Sequence, residues 1–175
     1  MSSNFRICFG GYMIQLKKGN IFDEIKNCDL IIIFGHLGLN QLKFYWEEFR
    51  NSNLNKLPND PFQKGINKIS FQDKQLWFVS GEVNHGLSDQ SLNKLIEDAV
   101  HFAIKNSLSS IAFNGASNID LGFDTAKNQK SDAERVSHIV SEFNNQFKLQ
   151  LYTGDLILIS MSDSFEKVSD HLIAN

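Results

Sequence analysis

The most informative segment of this chain is Ser110-Ile111-Ala112-Phe113-Asn114-Gly115-Ala116-Ser117-Asn118-Ile119-Asp120-Leu121-Gly122-Phe123. Its beginning, Ser110 to Phe113, is mostly apolar, as is typical of a strand buried on both faces of a sheet. The residues that follow are mostly small or polar and include two glycines, whose backbone can approach a ligand closely. Free N–H groups in such a loop can form an anion-binding concavity. The alternative is an ordinary connection between a strand and a helix.

Other segments have the same strand-like character. Apolar runs predict two further buried strands, at 29–34 and 155–160. Four other apolar runs predict two hairpins, because a short turn sequence, Gly10-Gly11 or Asp73-Lys74, separates the members of each pair. These four runs are 4–9 and 12–16, then 68–71 and 75–80.

Three helices are predicted from apolar residues that recur at intervals of three and four: one over 39–49, one from Ser88 onward and one after Ser131. Ser131 and Glu134 have the spacing of a capping box. A terminal helix is predicted over about 164–172, and the polar stretch 51–61, which holds both prolines, is predicted to be a loop. Strands that alternate with helices predict an α/β sandwich with a mixed, mostly parallel sheet.

Composition limits the class of protein. The chain has 175 residues, of which 42% are hydrophobic, and a net charge of −3, so we expect one globular domain over 1–175. Without an excess of basic residues, we expect neither direct nucleic-acid binding nor a membrane partner. Two cysteines, Cys8 and Cys28, are too few for a disulfide framework, and we expect no signal peptide, because no basic stretch followed by a long apolar one is seen at 1–6. We therefore expect a soluble cytoplasmic protein.

Two further loops carry candidate catalytic residues. His36, in Gly35-His36-Leu37-Gly38, follows a predicted strand and could transfer a proton or contact a ligand. The alternative is a packed histidine bonded to backbone. Glu82 and His85 follow another strand and could act as acid and base, or could lie in a surface loop. Because the histidines and cysteines show no metal-ligand spacing, we expect no metal, and we expect no cofactor.

The order of these segments resembles the macro domain, a family that binds ADP-ribose. Gly19-Asn20-Ile21-Phe22 is similar to the family's Gly-Asp-Ile-Thr, and the strand that opens with Asp29 follows it as in the family. The segment 110–123 is similar to Ser-Ile-Ala-Phe-Pro-Ala-Ile-Ser-Thr-Gly-Ile-Tyr-Gly-Tyr, with Ser117, Gly122 and Phe123 in register. The resemblance implies a three-layer α/β/α sandwich.

The sequence also departs from the family pattern. Asn20 stands where the family has an acidic residue for the adenine amino group. The family's Asn-Ala-Ala-Asn and glycine run are replaced by Gly35-His36-Leu37-Gly38, with His36 near the last Asn. In hydrolytic members this loop holds the distal ribose and orients the attacking water. Six residues, 125–130, are inserted after the predicted phosphate loop.

The resemblance implies a ligand cleft at the carboxyl ends of the strands, and His36, from its place after a predicted strand, is the candidate catalytic residue there. The implied ligand-binding residues are Asn20, Ile21, Gly35, His36, Gly38, Asn114, Gly115, Ala116, Ser117, Asn118, Ile119, Asp120, Leu121, Gly122 and Phe123. The implied ligand is ADP-ribose or a related NAD-derived nucleotide, and an ADP-ribosylated protein is a further implied partner. Three functions stay open: hydrolysis of an ADP-ribosyl or ADP-ribose-phosphate derivative, non-catalytic reading or sequestration of an ADP-ribose-like signal, and an unrelated α/β enzyme that uses His36.

Overall fold

The structure, a computed structural model, describes residues 4–9, 11–35, 40–53, 57–62, 65–80, 88–114 and 131–160. Within these ranges seven strands form one sheet. The strands are β1 (Asn4–Phe9), β2 (Tyr12–Lys18), β3 (Leu30–Gly35), β4 (Ile66–Phe71), β5 (Lys74–Ser80), β6 (Ser110–Phe113) and β7 (Asp155–Ser160). The helices are α1 (Asn40–Ser52), α2 (Asp89–Lys105), α3 (Asp132–Leu149) and a 3₁₀ helix, Ile21–Lys26.

The sheet is mixed and mostly parallel, as predicted. Its strand order is β1-β2-β7-β6-β3-β5-β4. Every neighbouring pair from β2 to β5 is parallel, whereas β1 and β4 pair antiparallel with β2 and β5 at the two sides. Both antiparallel pairs are the hairpins that the short turns predicted. The five central strands therefore direct their carboxyl ends to one edge of the sheet, which we call the carboxyl edge, and their amino ends to the opposite, amino edge.

Helices cover both faces of the sheet and give it three layers. All six residues of β3 are buried, because alternate side chains enter different cores. Leu30 and Ile32 pack in the core beneath α2 and α3, whereas Ile31 and Ile33 pack in the core that includes Trp46 of α1 and the 3₁₀ helix. The predicted three-layer α/β/α sandwich is confirmed.

The predicted helix starts are confirmed in detail. Ser88 caps α2, where its Oγ accepts a hydrogen bond from the Ser91 N–H at 3.1 Å. Ser131 caps α3 in the same way and accepts from the Glu134 N–H at 3.2 Å. One boundary was wrong: α1 continues to Ser52, so the predicted loop over 51–61 begins inside a helix. The predicted helix over 164–172 lies outside the described residues.

Across the described ranges, no helix combines the length and apolar character needed to cross a membrane.

Candidate functional site

The carboxyl edge brings together residues that are far apart in the sequence. Asn20 follows β2, Gly35 ends β3 and Asn114 follows β6. In the sheet, β2 lies two strands from β6 and three from β3, which corresponds to about 10 and 14 Å at the usual spacing between strands. The predicted ligand-binding residues that the structure describes therefore occupy one edge, spread over the length of an elongated ligand.

Asn20 is fixed by the helix that follows it. Its backbone is extended, and its side-chain Oδ1 accepts a hydrogen bond from the Phe22 N–H at 3.1 Å, so it caps the 3₁₀ helix. This bond determines the orientation of the amide, because only the oxygen can accept from an N–H group. The Nδ2 group, a donor, is therefore the atom that is directed away from Phe22.

The 3₁₀ helix is itself held firmly against the sheet. Ile21 is 2% exposed, so its side chain belongs to the core and only its backbone could meet a ligand. Glu24 is also buried, and its Oε1 accepts a hydrogen bond from the Lys17 Nζ at 2.6 Å. Phe22 stacks on Phe49 of α1 with ring centroids 5.8 Å apart. These contacts give Asn20 a rigid base.

Gly35 is the last residue of β3 and pairs with Ser80 of β5. Its φ is 152°, a conformation that residues with L side chains rarely adopt. The absence of a side chain at this position therefore permits the backbone conformation with which β3 ends. His36 and Gly38, which follow, lie outside the described residues.

Asn114 is 6% exposed and lies directly after β6. Its Oδ1 accepts a hydrogen bond from the Phe34 N–H at 2.6 Å, and its Nδ2 donates one to the Phe34 carbonyl oxygen at 2.9 Å. The side chain predicted to contact a ligand is thus bonded to the backbone of the neighbouring strand. The other predicted ligand residues on this segment, 115–123, lie outside the described residues, as do Glu82 and His85.

One feature of this edge was not predicted. Arg135, in the first turns of α3, is 1% exposed and donates from its guanidinium to the carboxylate of Asp89 at the start of α2. The pair joins the two helices whose first turns lie at the carboxyl edge. The sequence offered no signal for it, because Arg135 and Asp89 lie 46 residues apart and each is typical of an ordinary charged helix surface.

Several groups with shifted pKa values lie at the opposite, amino edge, and three of them are Cys28, Tyr152 and Asp29. Burial raises the pKa of the Cys28 thiol to about 11, and the nearby charge of Glu24 adds to the rise. Burial likewise raises the pKa of Tyr152. Burial also acts to raise the pKa of Asp29, but hydrogen bonds donated by the Ser109 N–H and hydroxyl, together with Lys74, lower it below its usual value. Burial, local hydrogen bonds and neighbouring charges account for these shifts, so they reflect the packing of this edge.

Comparison with known proteins identifies the fold. No protein-family model matches the sequence, and no curated protein matches it. Among solved structures, the Oceanobacillus iheyensis macrodomain with ADP is 14% identical, with a TM-score of 0.64 over 99% of this chain and 96% of that one. A variant of the same macrodomain with ADPR is also 14% identical, with a TM-score of 0.59 over 99% of this chain and 100% of that one.

A macrodomain from a second organism gives the same result. The Trypanosoma brucei macrodomain in complex with ADP is 17% identical and has a TM-score of 0.63, with 91% of this chain and 68% of that one covered. The fold is therefore an α/β/α sandwich of the macrodomain type. This chain has the macrodomain fold in a divergent sequence, and the resemblance to the macro domain is confirmed at the level of fold.

Proposed function

We propose that this chain binds ADP-ribose or a related NAD-derived nucleotide at the carboxyl edge of its sheet. The observation that carries the proposal is the convergence of Asn20, Gly35 and Asn114 on that edge within a macrodomain fold. In sheets of this kind ligands bind outside the carboxyl ends of the strands. The similar macrodomains with ADP or ADPR bound give the class of ligand.

The base of the nucleotide meets Asn20 in this proposal. The Nδ2 of Asn20 can only donate, so it suits a base edge that presents an acceptor, such as the ring nitrogen N1 of adenine. A carboxylate at this position would instead accept from the adenine amino group. Asn20 therefore supports binding of a purine with weaker discrimination for adenine than an acidic residue would give.

The diphosphate meets the backbone of residues 117–122 in this proposal. Backbone N–H groups that donate to phosphate oxygens form charge-assisted hydrogen bonds, which are stronger than neutral ones. Gly122 is assigned to the point where backbone and phosphate approach most closely, and Phe123 flanks a ribose. The position of this segment between β6 and α3, whose Ser131 cap marks the helix start, supports the assignment.

Binding without turnover is the form of this function that the sequence favours. The family's Asn-Ala-Ala-Asn loop, which orients water in hydrolytic members, is replaced by Gly35-His36-Leu37-Gly38. Hydrolysis remains the rival, with His36 as the group that would activate water. The alternative of an α/β enzyme of another kind that uses His36 predicts instead that ADP-ribose is not bound.

The proposal is tested by calorimetric titration with ADP-ribose. We expect saturable binding, and we expect Gly122→Glu to weaken it at least tenfold, which corresponds to about 1.4 kcal/mol. Gly11→Glu is the matched control, since it adds the same charge beside Thr153 at the amino edge and should leave the affinity unchanged. Absence of heat and of any thermal shift at millimolar ADP-ribose would refute the proposal. Equal binding by Gly122→Glu and wild type would refute the phosphate-loop assignment.

A turnover assay separates the two forms of the function. Catalytic amounts of protein are incubated with an ADP-ribosylated protein and, separately, with a phosphorylated ADP-ribose. A reader releases neither ADP-ribose nor phosphate above the blank. Release that His36→Ala abolishes, in a variant that still binds ADP-ribose, would instead establish a hydrolase.

A further inference from the structure

Strand β6 is shorter than its neighbour β3, and the side chain of Asn114 forms hydrogen bonds with the part of β3 that extends beyond β6. The paired residues of the two strands end with Ile32 opposite Phe113. One more backbone bond follows, from the Asn114 N–H to the Ile32 carbonyl oxygen at 3.4 Å. Beyond it β6 supplies no further backbone partner within the described residues, although β3 continues to Gly35.

The Asn114 amide supplies those partners. Its Oδ1 and Nδ2 bond the N–H and the carbonyl oxygen of Phe34, at 2.6 and 2.9 Å respectively. One side-chain amide thus acts as a peptide group and extends the pairing between the strands by one step. Because Phe34 is 1% exposed and Asn114 6% exposed, water is not available to replace these bonds.

The position of this amide connects two loops. Phe34 immediately precedes Gly35, where the chain leaves β3 towards His36. Asn114 immediately precedes Gly115, the start of the predicted phosphate loop. The same two hydrogen bonds therefore fix, relative to each other, the strand ends from which both loops depart.

We propose that Asn114 is a positioning residue for the nucleotide site: it acts on the ligand through the backbone of Phe34 rather than by direct contact. This inference rests on the proposed function and assigns a role to a residue that the sequence indicated as a ligand contact. A ligand that spans both loops requires them at a fixed separation, and the Asn114 amide sets the separation of the two strand ends from which they depart.

The chain contains a matched control for this amide at the opposite edge. The Ser110 Oγ accepts a hydrogen bond from the Asp29 N–H at 3.0 Å and so joins the same two segments of chain at their amino ends. Ser110→Ala removes a side-chain hydrogen bond between β6 and the residue that precedes β3. Asn114→Ala likewise removes the side-chain hydrogen bonds near the end of β3. A loss of affinity that comes only from weaker attachment of β6 to β3 should therefore be seen in both variants.

The experiment measures ADP-ribose affinity by calorimetry well below the unfolding temperature, and backbone hydrogen exchange in the ligand-free proteins. We expect Asn114→Ala to lose at least tenfold in affinity and Ser110→Ala less than twofold. Exchange of the Gly35 amide should accelerate only in Asn114→Ala. Equal affinities and equal Gly35 exchange in the two variants would overturn the proposal.

A second variant, Asn114→Asp, keeps the proposal testable if Asn114→Ala does not fold. The protonated carboxyl that this substitution introduces has the same shape as the native amide. It can both accept from the Phe34 N–H and donate to the Phe34 carbonyl, whereas its ionised form cannot donate. Burial raises the pKa of such a carboxyl. The affinity of Asn114→Asp relative to wild type should therefore recover as the pH falls from 8 to 5, and a ratio that does not change with pH would overturn the proposal.

Failure of the positioning role can be distinguished from failure of the proposed function. If wild type does not bind ADP-ribose, the proposed function fails, and the exchange of Gly35 in the ligand-free variants still decides whether Asn114 orders the loop. If wild type binds and Asn114→Ala binds equally well, only the positioning role fails.

Discussion

Gly154 lies before β7 in a position that leaves no room for a side chain. A Cβ built there would lie 2.5 Å from the Ser109 carbonyl oxygen and closer still to the Tyr152 hydroxyl. Neither neighbour is free to move, because the Ser109 oxygen accepts from the Asp155 N–H at 3.0 Å and the buried Tyr152 hydroxyl donates to the Leu108 carbonyl at 3.0 Å. Gly154→Ala must therefore displace at least one of them.

The expected loss can be worked out from these contacts. Overpacking a buried site costs about 1–3 kcal/mol, and the loss of one buried hydrogen bond adds about 0.5–1.5 kcal/mol. We therefore expect the free energy of unfolding of Gly154→Ala to fall by about 2–4 kcal/mol. For a chain of this length, this corresponds to a decrease of about 5–15 °C in the unfolding temperature.

The assay is denaturant and thermal unfolding of wild type, Gly154→Ala and Gly11→Ala. Gly11 is the control at the same edge, because its Cβ would lie 3.5 Å from the Thr153 Cγ2, an ordinary van der Waals contact. Both variants should bind ADP-ribose like wild type at low temperature, since the amino edge lies opposite the proposed site. The reasoning is refuted if Gly154→Ala unfolds at the wild-type temperature, or if Gly11→Ala loses as much stability.

Three further predictions concern charge and protonation. Asn20→Asp keeps an oxygen for the helix cap but replaces a hydrogen-bond donor by an acceptor. The ratio of the affinities for ADP-ribose and its hypoxanthine analogue, measured by calorimetry, should therefore rise about tenfold. An unchanged ratio would exclude Asn20 from the base site. Burial raises the pKa of Cys28 to about 11, so its stabilising contribution is complete below the pKa of an unfolded cysteine, near 8.5, and is lost as the pH rises through about 11. Urea unfolding from pH 7 to 11 should show the stability difference between wild type and Cys28→Ala narrowing, and a constant difference would contradict this. Asp89→Asn should lower the free energy of unfolding by about 1–3 kcal/mol, because it removes a charged partner from buried Arg135. Asp98→Asn, which acts on the exposed ion pair with Lys94, should change it by less than about 0.5 kcal/mol. Equal losses in the two variants would show that burial of the arginine is unimportant.

The sequence predicted the strands well where one physical signal was unopposed. The run 29–34 has apolar side chains on both faces, so it could only be a strand buried between two layers, and it became β3 within one residue at each end. The Ser131 cap was equally clear. The 3₁₀ helix was not predicted, because six residues are too few for a helical apolar stripe and its order depends on the packing of Phe22 against α1.

The candidate site was predicted less completely than the fold. The sequence pattern indicated that Asn114 lies at a strand end among small polar residues. It did not indicate which atoms the Asn114 amide forms hydrogen bonds with. That depends on β6 stopping before β3, a register between residues 80 positions apart. The orientation of the Asn20 amide depends in the same way on the cap bond to Phe22, and the Arg135 pair on the docking of α2 beside α3.

The order of strands in the sheet also sets the order in which the chain can fold. The Met13 N–H bonds the Asp155 carboxylate 142 residues further along, because β2 takes the much later β7 as its parallel neighbour. During synthesis, the β1–β2 hairpin emerges before the other described strands. It can pair with β7 only after that strand, the last one described, has been made, whereas β3, β4 and β5 can associate early. Since long-range pairing of this kind slows folding, the docking of the first hairpin is expected to be the late step. The hairpin that leads to Asn20 would then reach its place only once β7 is in the sheet.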